Sequence, residues 1–84
     1  MATKVTGLLT RFPTQAEAVT PSDATEFEYG STIYVGVTGN VAVLPVNSTV
    51  AVTFTAVPAG AVVPCLVRRV MSTGTTATTM IRVW

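Results

Sequence analysis

The run Thr49-Val50-Ala51-Val52-Thr53-Phe54-Thr55-Ala56-Val57 alternates without a break, with Val50, Val52, Phe54 and Ala56 on one side and Thr49, Ala51, Thr53 and Thr55 on the other. Successive side chains leave a strand on opposite faces, so a period of two over this length predicts a half-buried β-strand. Upstream, Ser31 to Val37 is rich in β-branched and aromatic residues, and Val41 to Leu44 follows across Thr38, Gly39 and Asn40. Gly-Asn supplies the positive backbone angles of a tight turn, so these two stretches are expected to form a hairpin. Pro45 to Ser48 reads as another turn. Downstream, Pro58, Ala59 and Gly60 end the alternating run, and Pro64 holds Ala61 to Val63 to a short or edge segment. Cys65 to Met71 resumes the ladder, Ser72 to Gly74 breaks it, and Thr78 to Trp84 is the last strand. Met1 to Thr25 has no sustained periodicity, carries Pro13 and Pro21, and allows at most a short helical turn around Thr14 to Val19. The expected fold is all-β: a small antiparallel β-sandwich or barrel of five to six short strands over residues 26–84, preceded by an extended N-terminal arm, residues 1–25.

Composition bounds what such a domain can do. Charged residues make up 11% of the chain, against about 25% in ordinary soluble domains, while sixteen Thr and fifteen Val crowd the sequence. A domain of 84 residues buries only roughly 60–65% of the surface its unfolded chain exposes, and small cores draw extra stability from disulfides, metals or oligomerisation. Cys65 is the single cysteine and there is no histidine, so neither an internal disulfide nor a zinc or iron site is expected. Oligomerisation is the remaining source. The sequence offers no secretory signal over Met1 to Gly30, and the uncharged stretch from Tyr29 to Val67 is broken by Gly39, Asn40, Pro45, Asn47, Pro58 and Pro64 well short of the ~18 apolar residues of a membrane span. Synthesis in a cytoplasm, with no membrane partner, is the expectation.

Little of the sequence points to chemistry. Without histidine the usual general base and every Ser-His or Cys-His arrangement are missing, and Cys65, following Pro64 in an apolar strand, reads as a small buried hydrophobe. A thiol enzyme using Cys65 is the weaker alternative. Asp23, Glu26 and Glu28 lack the spacing of a helix-loop-helix calcium site, and Gly36 and Gly39 do not belong to a phosphate-binding loop. Asn47-Ser48-Thr49 matches a glycosylation acceptor but reads as a plain turn. Five scattered cations make no basic face for nucleic acid, and net charge +1 exerts little long-range pull on a polyanion. No catalytic residue, cofactor or metal is assigned.

The charges are informative through their layout. All four acids, Glu17, Asp23, Glu26 and Glu28, fall in one segment, while Arg68, Arg69 and Arg82 lie near the C-terminus. They are solvated loop and edge residues, or the acidic segment of one subunit meets the basic strands of its neighbour, fixing register. Arg68 and Arg69, as adjacent strand residues, are expected on opposite faces. Trp84 either caps the core or anchors an interface. Interface candidates are therefore Asp23, Glu26, Glu28, Arg68, Arg69, Arg82 and Trp84. A sugar-binding module, resting on Tyr29, Tyr34 and Trp84, is a further alternative.

The ordered set Ile33-Tyr34-Val35-Gly36, Val57-Pro58-Ala59-Gly60, Val63-Pro64, Val67-Arg68-Arg69-Val70, Gly74-Thr75-Thr76-Ala77-Thr78 and Val83-Trp84, with Thr20-Pro21-Ser22-Asp23 before it, resembles the small spike-base family of tailed phages and gene transfer agents. The resemblance implies a non-enzymatic virion protein on the capsid exterior, in contact with the major capsid protein, with other copies of itself as a trimer or pentamer, and with a spike fibre protein. Glu26, Phe27, Glu28 and Tyr29, ahead of the first strand, depart from the family pattern. A cement role across the whole shell and a place in the neck or tail therefore stay open.

Overall fold

The computed structural model describes residues 13–84. Six strands run in the order β1 (Ala16–Ala18), β2 (Thr32–Val37), β3 (Gly39–Pro45), β4 (Val52–Val57), β5 (Val67–Val70) and β6 (Thr78–Val83). They form two antiparallel three-stranded sheets, β1-β6-β2 and β4-β3-β5, with no helix among the described residues, so the fold is all-β as expected. Ile33, Val35 and Met80 from the first sheet pack against Val41, Val43 and Val70 from the second, joined by Val57, Val63 and Val67. Nearly all are β-branched, which suits close packing on a pleated surface.

The hairpin expected between residues 31–37 and 41–44 does not form. β2 pairs with β6, whereas β3 pairs with β4 and β5, so the chain passes from one sheet to the other at Thr38. The reason lies in Val41-Ala42-Val43-Leu44, a continuous apolar run whose four side chains are all buried. A strand buried on both faces needs a central place in its own sheet. Gly39 is not among the glycines with positive φ, which are Gly60 and Gly74. It is needed instead for close approach, since a Cβ there would meet the Ala77 backbone nitrogen at 2.5 Å. Asn40 turns its side chain to β4, where Oδ1 accepts the Ala56 N–H at 2.9 Å.

The alternating run departs from its period-two reading in extent, in burial and at a bulge: the strand begins only at Val52, and Val50 and Val52, expected on a half-buried face, are exposed. Gly39 lies opposite Val57 but Val41 lies opposite Phe54, so β4 carries one extra residue, a bulge with Ala56 at φ 53°. The bulge reverses the parity, and Val57 rather than Ala56 enters the core. Other punctuation falls where the sequence placed it. Ser48 N–H donates to the Pro45 carbonyl, and Ala61 N–H to the Pro58 carbonyl across Gly60 at φ 87°, a type II turn. Val62 makes a single isolated bridge, to Tyr34.

No helical turn forms around residues 14–19. This segment is β1, in register with β6 through Ala16↔Val83, Glu17↔Arg82 and Ala18↔Ile81. Thr14 and Gln15 N–H both donate to the Trp84 carbonyl at 2.9 Å, and Val19 N–H donates to the Met80 carbonyl at 3.0 Å. One side of β6 would otherwise leave its backbone groups unpaired, and residues 14–19 satisfy them. The part of the expected arm before Pro13 lies outside the described residues.

Candidate interaction surface

Alternation along β6 sends Met80 and Arg82 inward, and Arg82 is only 6% exposed. A buried guanidinium must be neutralised and its donors met. Glu17, directly across on β1, accepts from Nε at 3.1 Å, and the buried Ser31 hydroxyl accepts from Nη1 at 3.0 Å while itself donating to the Tyr29 carbonyl at 2.9 Å. The rings of Phe27 and Trp84 both lie against the cation, at 4.4 and 3.6 Å from the guanidinium carbon to each centroid. Trp84 thus covers Arg82 and has one face committed within its own chain.

Arg68 and Arg69 do not take opposite faces. Leu44 pairs with Arg69 but Pro45 with Val67, a second bulge that leaves Arg68 as the extra residue. Both side chains are half-buried between the buried Val67 and Val70, and both reach the same oxygen: Glu26 Oε2 lies 2.9 Å from Arg68 Nη1 and 2.7 Å from Arg69 Nη2. The remaining Nη groups donate to the carbonyls of Ser48 and Asp23 at 2.8 Å. Both Nε–H groups are buried with no acceptor among the described residues, a cost of placing two guanidiniums on one carboxylate.

Asp23 pins the loop between β5 and β6. Its carboxylate accepts the Ser72 and Thr73 N–H groups at 2.8 and 3.0 Å and the Thr73 hydroxyl at 2.6 Å. The Thr73 hydroxyl, then these N–H groups, hold the Asp23 carboxyl below its ordinary range, with a further pull from Arg69. The acidic segment therefore meets the basic strands within one chain. Glu28 is exposed and forms no ion pair among the described residues. Glu17, Phe27, Ser31 and Thr73, which complete these clusters, were not among the interface candidates read from the sequence. Glu17 left a signal as one of the four clustered acids, and Phe27 as a departure from the family pattern.

What the surface offers outward is apolar. Ile81 and Val83 point to the outer face of the first sheet, where they line an open groove of about 520 Å³ with Tyr34, Val62, Ala16 and Pro13. Tyr29, Val46 and Leu66 are exposed around Gly30, and Val50 and Val52 overhang β4. Cys65 is half-buried, with its thiol within reach of the Leu66 carbonyl. No group of three or more metal-ligating side chains occurs among the described residues.

No family model matches the chain, and no curated protein does. A solved structure does, one described as the capsid of a native GTA (gene transfer agent) particle computed with C5 symmetry. The match covers 86% of this chain and 83% of the other, at 29% identity and a TM-score of 0.73. That likeness supports a virion structural role. It spans both sheets rather than one motif, and it indicates no enzyme family.

Proposed function

We propose that the chain is a non-enzymatic virion protein carried on the outside of a capsid, where it stabilises the shell as a cement protein or forms the base on which a head spike fibre is mounted. The observation that carries this reading is the likeness to a chain of the GTA capsid structure over most of both lengths. The surface agrees with it: large apolar side chains such as Leu66, 54% exposed, and Tyr29, 58% exposed, stand on a domain whose middle, residues 29–67, is uncharged. Such patches on a small domain mark sites that other proteins cover. The partners are the major capsid protein and further copies of the chain, as a trimer or pentamer. Asp23, Glu26, Arg68, Arg69, Arg82 and Trp84 serve the interface by holding its shape, and Glu28 is the acid placed to reach a neighbour.

Mixing the purified chain with particles that lack it tests the reading. Sedimentation with the particles, and density of matching shape on the capsid exterior in a reconstruction, is the expected result. A chain that stays in the supernatant, and that is missing from particles purified from its own source, overturns it. Removal of residues 1–12 should weaken attachment without unfolding the β domain, because β1 and its Glu17 are retained.

A further inference from the structure

We infer that β4 is an assembly edge: its free side pairs, antiparallel, with β4 of a second copy across a two-fold axis and joins the two second sheets into one of six strands. The inference names a neighbour for the proposed virion protein and in that sense rests on that reading, although the chemistry belongs to the strand itself.

A bare strand edge is a row of unpaired N–H and C=O groups that folded proteins cover, charge or shorten. Three of the four outer strand sides here are treated in one of these ways. β1 has three residues and carries Glu17. The outer side of β2 is covered by residues 60–67, with Val35 N–H donating to Ala61, Val63 N–H to Ile33 and Val67 N–H to Ser31. The carbonyls of Arg68 and Val70 on β5 accept from Phe27 and Ser22. β4 is six residues long, is uncharged, and has no described segment along its outer side.

The direction of the β4 backbone follows from its neighbour. Ala42 donates its N–H to the Thr75 hydroxyl and accepts the Met71 N–H at its carbonyl, so both its backbone groups face away from β4. Thr53, directly opposite Ala42, must then turn its own N–H and C=O outward. Val52 beside it is 47% exposed, and Val50, just ahead of the strand, is 71% exposed.

A second copy fits this edge because the strand is its own complement. Pairing about Thr53 sets Thr53 against Thr53 of the partner subunit and Val52 against Phe54 of the partner subunit, hydroxyl on hydroxyl and apolar on apolar. No like charges meet, since residues 29–67 have none. The bulge at Ala56 ends the regular edge and so limits the register to this centre. A two-fold contact of this kind closes on itself after two chains, so it would link one proposed trimer or pentamer to the next rather than build the ring, and it leaves the rest of the surface for the shell.

The test is sedimentation of the full chain over a concentration series, with hydrogen exchange of the Thr53 amide followed in parallel. The expected result is a mass that doubles with concentration while Thr53 exchange slows. Thr53→Pro removes an N–H that the isolated fold does not use, and Val52→Lys puts a charge on the edge. Each should weaken self-association at least about tenfold with an unchanged far-UV spectrum. A single-chain mass at every concentration overturns the inference, and so does a dimer that survives both variants with Thr53 exchange unaltered. Thr53 protected at all concentrations means that another part of the chain covers the edge, which also overturns it. Particle binding separates the two readings: a β4 dimer that ignores particles sinks only the virion proposal, and a monomer that binds them sinks only this one.

Discussion

The guanidinium carbon of Arg82 lies 3.6 Å from the centroid of the Trp84 ring, two residues further along the chain just past the end of β6, and 4.4 Å from that of Phe27. A planar cation against two rings gains from both π faces in a way that an ammonium cannot match. Arg82→Lys should therefore cost about 1–2 kcal/mol, and Trp84→Leu, which keeps apolar cover but loses the ring, should cost a similar amount. Each kcal/mol corresponds to a fall of about 4–8 °C in Tm for a domain of this size. Thermal unfolding followed by circular dichroism reads both changes, and an Arg82→Lys Tm equal to that of the native chain would remove the stacking argument.

Glu26 is the only carboxylate between Arg68 and Arg69 among the described residues. Glu26→Ala leaves two adjacent guanidiniums repelling each other, half-shielded from water. A loss of about 1 kcal/mol is expected, near the upper end for partly exposed pairs, and it should shrink as salt is added. Glu28→Ala is the matched control, since Glu28 makes no ion pair among the described residues, and it should leave the denaturation midpoint unchanged. Equal effects of the two substitutions would show that the shared carboxylate contributes nothing particular.

These contacts also mark what could be read from the sequence and what could not. The period-two run into β4, the turn at residues 58–61 and the final strand through Arg82 were legible, because side-chain alternation and turn chemistry are local. Pairing was not. Gly39-Asn40 has the composition of a tight turn, yet Gly39 is required by the Ala77 backbone and Asn40 by the Ala56 N–H, contacts with residues distant in sequence. Single-residue bulges did the rest. One reversed the parity of Ala56 and Val57, and the other brought Arg68 and Arg69 to a single carboxylate. Complementary charge between the acidic segment and the arginines was visible. Charge complementarity does not say whether the partner is in the same chain, and here Glu26, Glu17 and Asp23 are engaged internally.

Asp23 gives the fold a dependence on acid pH. Its carboxyl is held below the ordinary range chiefly by the Thr73 hydroxyl and N–H. A carboxylate whose folded value is depressed contributes stability at pH above its unfolded value, and that contribution is lost as pH falls through the folded value. Asp23→Asn should thus be less stable than the native chain at neutral pH, and the gap should close on acidification. Thr73→Val should raise the Asp23 titration midpoint toward that of a free aspartate, measured by carboxyl carbon chemical shifts. A midpoint unmoved in Thr73→Val would place the cause elsewhere.

Ala56 holds a left-handed backbone, φ 53°, at the bulge that admits Val57 to the core. An L-residue with a Cβ pays about 1–2 kcal/mol for that conformation, whereas glycine adopts it freely. Ala56→Gly should therefore stabilise the domain by about 1 kcal/mol, once the greater freedom of glycine in the unfolded chain is set against the relief. Asn40→Ala acts in the opposite direction, since it removes the oxygen that takes the Ala56 N–H at 2.9 Å and leaves that donor to water. The expected loss is about 1 kcal/mol. The double variant sets these effects against one another. If Asn40 holds Ala56 in a conformation it resists, Asn40→Ala should cost more in the Ala56→Gly background than in the native one, where release of the backbone strain offsets part of the lost hydrogen bond. A bulge formed by the β3–β4 register alone would instead give strictly additive changes in unfolding free energy.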